Sequence, residues 1–218
     1  MIYLFSDDGT FSGYYRSKYR RVFVLESLNM CLDEGEVQDA VRGATPSRIG
    51  GFRVLRVFPE SVIRELAATV YSESYHNSQE SEGIARVIRN RAEHVGVDYG
   101  SPNFWLSHSQ GGIGGSGIYG RRSSRFRQAN STPIEKWLDN NAMLTDLEAT
   151  VRALFSKSDI TNGAYFWEGN ASLNNPNNYF RVRLNQNPPV FVITRVLGRT
   201  TFMRYNPEHP TFGRNVWP

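Results

Sequence analysis

Two helical patterns follow one another almost without a break between Pro59 and His94, and β-type sequence lies on either side of the pair. In the first pattern Val62, Leu66 and Val70 recur at helical spacing, after Pro59 and Glu60, a pairing suited to a first turn because proline has no amide to leave unpaired. Asn77 and Glu80 then form a capping-box pattern opening a second helix over Ser78–His94, with Ile84, Val87 and Ile88 as its stripe. Ile2–Phe5, Arg21–Leu25 and Phe52–Phe58 read as strands before the pair, and Asp33–Val41 as a short helix. Beyond it, Ile134–Leu138 reads as a short helix. Thr145 with Glu148 marks a capping box for a helix running to Phe155. Ala164–Trp167, Val190–Leu197 and Thr200–Arg204 read as strands, the last two joined through Gly198-Arg199 in a two-residue hairpin. The division expected is a β-rich N-terminal extension over 1–58 and a second domain over 59–218.

On a wheel of about 100° per residue, Glu73 falls about 20° from Leu66, in line with Val62 and Val70. Its carboxylate therefore prolongs an apolar stripe instead of facing water. Apolar surroundings disfavour the charged form of a carboxyl and keep it protonated towards neutral pH. A proton donor of that kind is what glycosidic cleavage needs at the leaving oxygen. Arg91 falls on the stripe of the second helix, and a buried guanidinium requires a partner; a structural role fits it best.

Leu66-Ala-Ala-Thr-Val-Tyr-Ser-Glu73-Ser, followed by Glu82-Gly-Ile-Ala-Arg-Val-Ile-Arg-Asn-Arg91, resembles the opening of the SleB-like cell-wall hydrolases, the family of the spore cortex-lytic enzymes. Asp159-Ile-Thr-Asn-Gly-Ala-Tyr-Phe166 and Gly198-Arg-Thr-Thr-Phe-Met-Arg204 resemble two later blocks of that family. Ile160 stands where the family has proline, and the last block has no histidine. Ser109-Gln110 is the nearest counterpart of the family's Gln-Phe-Ser segment. The resemblance implies an α+β, lysozyme-like or lytic-transglycosylase-like helical domain with a small antiparallel sheet. It also implies cleavage of bacterial peptidoglycan, as a muramidase or a lytic transglycosylase, with Glu73 as catalytic acid. No metal or organic cofactor is implied.

A second carboxylate would distinguish the two reactions, since hydrolases of the inverting and retaining kinds each use a pair. Glu82 and Asp159 are the first candidates, with Glu80, Asp98 and Glu168 behind them. Without a second acid, the sugar's own 6-hydroxyl closes on the anomeric carbon and leaves an anhydro end. Substrate contacts are expected from Tyr165, which sits in a family-like block, and from Gln110, Tyr119 and Trp167; strand alternation puts Tyr165 and Trp167 on one side and Phe166 on the other.

The net charge of +4 favours polyanions without selecting one, because the arginines are scattered along the 218 residues. The basic, aromatic stretch Tyr14–Arg21 reads as a solvated strand edge, so no nucleic-acid partner is expected; a nucleic-acid-binding protein or a non-catalytic wall-binding module are the rival readings. Cys31 is the one cysteine, which excludes an internal disulfide, and the four histidines show no metal-ligand spacing. Gly112–Gly117 matches a dinucleotide fingerprint but lacks the strand and helix that give it meaning. No stretch approaches the roughly 20 apolar residues of a membrane span, and the first residues lack the features of a signal peptide. The expectation is a protein made in the cytoplasm that reaches the periplasm or cell wall through a secretion machine or phage lysis. An antibacterial effector of that type needs a cognate immunity protein in its producer.

Overall fold

The computed structural model describes residues 1–42, 46–96 and 123–210. These residues form an α+β fold with a curled five-stranded mixed sheet, a three-stranded antiparallel sheet and eight helices. In chain order they are β1 (Ile2–Ser6), β2 (Phe11–Tyr15), β3 (Arg21–Leu25), α1 (Glu34–Ala40), β4 (Arg48–Ile49), β5 (Phe52–Pro59), α2 (Glu60–Glu73), α3 (Ser78–Val95), α4 (Ser124–Ser131), α5 (Ile134–Trp137), α6 (Asn141–Phe155), β6 (Phe166–Gly169), α7 (Asn170–Leu173), α8 (Tyr179–Leu184), β7 (Phe191–Leu197) and β8 (Thr200–Tyr205).

The larger sheet has the order β2-β1-β3-β5-β4, with β1 and β3 parallel and the other pairs antiparallel. Side chains alternate between the faces of a strand, so β1 divides its residues between two cores. Tyr3 and Phe5 pack with Val22, Val24 and Phe58 against the helices. Ile2 and Leu4 pack with Phe23, Leu25 and Val37 of α1 on the other face. Both faces are covered, which is why β1 reads as an unbroken apolar run.

The helical layer is α2, α3 and α6, and its core takes residues from both sides of position 58: Tyr3, Phe5 and Val22 lie with Leu66, Val87 and Leu147. β5 runs directly into α2, with Pro59 at the N-cap and Glu60 as the first helical residue. Glu60 is buried and paired with Arg20 and Arg64, tying the β2–β3 connection to the helix.

The smaller sheet has the order β6-β8-β7 and folds over α7 and α8 around Phe166, Phe180, Phe191 and Met203. Its β7–β8 hairpin is fastened to the first turn of α3. Glu80, fully buried, accepts hydrogen bonds from the Arg199 amide at 3.2 Å and from Thr200 Oγ1 at 2.8 Å. Only half of the expected capping box therefore forms: Asn77 accepts from the amides of Gln79 and Glu80, while the Glu80 carboxylate turns to the hairpin.

The expected capping box at Thr145 and Glu148 is also corrected. α6 begins one turn earlier, where Asn140 caps the amide of Met143 at 3.1 Å. Glu148 lies inside the helix and accepts from the amide of Phe11 in β2 at 3.0 Å.

Candidate active site

α2 ends at Glu73, and the reason is visible in the three residues after it. Ser74 takes an extended backbone, and His76 adopts a left-handed φ of 63° before Asn77 caps α3. A histidine in that region is uncommon and is held there by its surroundings. Burial along α2 is complete at Leu66–Val70 and gives way at Tyr71–Glu73, so Glu73 is half-buried where the apolar stripe meets the surface.

The surroundings that hold the turn centre on Asp146 of α6. This carboxylate is wholly buried and accepts from Ser81 Oγ at 2.5 Å, Ser74 Oγ at 3.0 Å and His76 Nδ1 at 2.6 Å. Burial drives its pKa up, and the hydrogen bonds from Ser81, His76 and Ser74 only partly counter that, so the net direction is upward. On its other side the His76 ring meets Arg125 of α4, whose Nη2 lies 2.8 Å from Nε2. The same nitrogen reaches the carbonyls of Tyr71 at 2.8 Å and Ser74 at 3.3 Å, bracketing Glu73 in the chain. A guanidinium only donates, so Nε2 must accept and Nδ1–H must donate to Asp146. Tyr71 closes the group, with its ring centroid 4.6 Å from that of His76 and the Arg125 guanidinium 5.0 Å from it.

Between Glu73 and His76 the chain presents Tyr75, 54% exposed, with the Arg199 guanidinium of the β7–β8 turn 5.1 Å from the ring centroid. An exposed aromatic ring with an arginine beside it is a surface on which a sugar face can lie.

The two first candidates for a second carboxylate have other partners. Glu82 is buried between α3 and α6 with Arg152 Nη1 at 3.5 Å; burial pushes its pKa up, opposed by Arg152 and Arg86. Asp159 organises the turn before β6: it accepts from the Thr161 amide and hydroxyl, the Gly163 amide and Asn90 Nδ2, at 2.6–2.9 Å. Partial burial pulls its pKa up, but these bonds outweigh it and hold the carboxyl below its ordinary value. Glu168 accepts from Asn178 Nδ2 at 3.3 Å within the smaller sheet's layer.

Among the expected substrate contacts, Tyr165 precedes β6, which starts at Phe166, so strict alternation does not apply to it. It packs with Phe166 against the small aromatic core, whereas Trp167 packs against the main one. Arg91, buried on its helix, donates from Nε to the Tyr165 carbonyl at 2.6 Å and lies over the rings of Phe166 and Trp167 at 5.2 and 5.4 Å. Gln110, Tyr119 and Asp98 lie outside the described residues, as does the Gly112–Gly117 segment.

Sequence reasoning passed over His76 and Asp146 because they are 70 residues apart and fit no local motif. One signal was present: Met143, Asp146, Leu147, Thr150, Val151 and Leu154 form a single buried stripe on α6, with a carboxylate inside it. Placing the helix start at Thr145 concealed it, since an acid in a first turn is explained by the dipole.

Elsewhere, Arg16, Lys18, Tyr19, Gln38 and Arg42 line an open concavity of about 200 Å³ beside α1. Among the described residues no cluster of three His, Cys, Asp or Glu side chains is placed to hold a metal ion, and no helix is long and apolar enough to cross a membrane. No protein-family model, curated protein or solved structure matches this chain.

Proposed function

We propose that this protein cleaves the glycan strands of bacterial peptidoglycan, with Glu73 donating the proton to the bridging oxygen. The observation that carries the reading is the position of Glu73: the last residue of a buried helix, half-buried where the stripe reaches the surface, next to a turn fixed in an unusual backbone conformation. A half-buried carboxyl at the end of an apolar stripe is the type of group from which a leaving oxygen can take its proton. Tyr75, two residues further along the chain, supplies an exposed aromatic face, and the β7–β8 hairpin, clasped by Glu80, brings Arg199 to that ring. Arg199 suits the lactyl and peptide carboxylates that accompany the amino sugars.

On this reading α2, α3 and the small sheet correspond to the helix pair and sheet of a lysozyme-like or lytic-transglycosylase-like domain. Proton donation from Glu73 serves both the muramidase and the transglycosylase outcome. The site of action is the periplasm or cell wall, reached by a secretion system or phage lysis, and a producing bacterium is protected by an immunity protein.

The test is release of soluble glycan from purified sacculi. Wild-type protein releases fragments, and Glu73→Gln lowers the rate about 10²-fold or more while sacculus binding persists. Binding without release by either protein identifies a wall-binding module instead. Steeply salt-dependent DNA binding with no action on sacculi identifies a nucleic-acid-binding protein.

A further inference from the structure

We infer that His76 is the base that takes the proton from the attacking hydroxyl, working with Glu73 as the acid. The inference rests on the glycan-cleaving reading and supplies the group that neither Glu82 nor Asp159 provides. Its foundation is the wiring of the ring. Asp146 fixes Nδ1 as the protonated nitrogen from a wholly buried position. Nε2 is left as an acceptor on a side chain that is 27% exposed. A carboxylate behind one imidazole nitrogen and an acceptor lone pair on the other is the arrangement that lets histidine accept a proton and stabilise the resulting charge.

Arg125 donates to Nε2 in this structure, and an attacking hydroxyl takes its place there. Its Nη2 has two hydrogens and three acceptors within reach: the Tyr71 carbonyl, the Ser74 carbonyl and His76 Nε2. An incoming hydroxyl replaces the guanidinium at Nε2, and the two carbonyls remain as acceptors for Arg125 once it has swung off the ring. The same two carbonyls flank Glu73, the last residue of α2, three positions before the ring in the chain.

The step balances without any further reagent. The carboxyl proton of Glu73 moves to the bridging oxygen, which departs with the electron pair of its bond to the anomeric carbon. A lone pair of the attacking oxygen, from water or from the sugar's 6-hydroxyl, forms the new bond to that carbon. The proton of that hydroxyl passes to Nε2, giving an imidazolium whose charge faces the Asp146 carboxylate. Exchange with solvent then returns a proton to Glu73 and removes one from His76. Among the described residues, the charged and titratable groups in contact with His76 are Asp146 from α6, Arg125 from α4 and Tyr71 from α2.

His76→Asn is the decisive variant. Asparagine tolerates the left-handed backbone, and its side-chain amide can still donate to Asp146, so the turn survives while the base is gone. The full-length protein is assayed on purified sacculi across pH, beside Glu73→Gln. His76→Asn is expected to lose about 10²–10⁴-fold in rate with an unchanged melting temperature. Asp146→Asn provides a second reading: without the carboxylate the imidazolium is easier to deprotonate, so the acidic limb of kcat/KM moves to lower pH. The inference is overturned if His76→Asn stays within about threefold of wild type while Glu73→Gln is inactive, a result that leaves the role of Glu73 standing. It is overturned equally if folded Asp146→Asn keeps the wild-type acidic limb. Wild-type protein without action on sacculi overturns both readings together.

Discussion

Asp146 and Asp159 are carboxylates withdrawn from water that each accept several hydrogen bonds, and their pKa values move in opposite directions. Asp159 is served by two backbone amides, an amide side chain and a hydroxyl of its own turn. None of those donors can titrate, and the side chain keeps some access to water, 22% by area. The ionised form wins, and the group shapes the Asp159–Ala164 turn. Asp146 has no exposure at all, and its donors are two hydroxyls and a histidine. Burial wins there, and one of its partners can carry the compensating charge. The number of hydrogen bonds alone does not set the direction of a carboxyl's pKa; the depth of burial and the kind of donor decide it.

The largest effect that would test this contrast is on activity. Asp146→Asn should lower glycan release from sacculi about 10²-fold or more, because the tautomer of His76 is no longer enforced. Asp159→Asn should leave the acidic limb of the pH profile where it is in the wild type. A shift of that limb by Asp159→Asn would erase the distinction.

Stability provides the next effect. Asp159→Asn removes an acceptor from Gly163 and Asn90 and should cost about 1–3 kcal/mol in urea unfolding at neutral pH. The two carboxylates should also differ in pH dependence. The folded pKa of Asp159 is depressed, so its contribution is present above the unfolded value near 4 and is lost as pH falls through the lower folded value. The folded pKa of Asp146 is raised, so its ionisation costs stability above that value, and acidification through it relieves the cost. Urea midpoints of wild type and the two Asn variants, measured from neutral pH downwards, resolve the two signs.

Gly198→Ala should cost about 1–2 kcal/mol, read as a lowered melting temperature. Gly198 has φ of 57°, and a Cβ there would stand 2.5 Å from Glu80 Oε2, at the clasp that brings Arg199 to Tyr75. The smallest effect expected is for Tyr75→Ala: KM raised by about three- to tenfold with kcat nearly unchanged, since an exposed ring contributes binding rather than chemistry.

Much of the fold was legible because its signals are local. The α2 and α3 stripes and the Gly198-Arg199 hairpin follow from spacing within a few residues. β2 was not legible: Phe11-Ser-Gly-Tyr-Tyr is broken by Gly13 and is a strand only because β1 pairs with it through a register shift at Leu4/Phe5. α4 buries only Phe126 and Ala129, too sparse a stripe to announce a helix. Glu73 was singled out by its place on one helical stripe. The Asp146–His76–Arg125 group joins α6, the α2–α3 turn and α4, and no single segment carries its pattern.

Mass spectrometry of glycan released from purified sacculi, by wild type and by Glu73→Gln at equal concentration, tests the role of Glu73 most directly. The account predicts disaccharide-peptide fragments with uniformly reducing or uniformly anhydro ends from the wild type, and none above background from Glu73→Gln. Fragments of the same kind and yield from Glu73→Gln, or glycan strands left whole by the wild type, would contradict it.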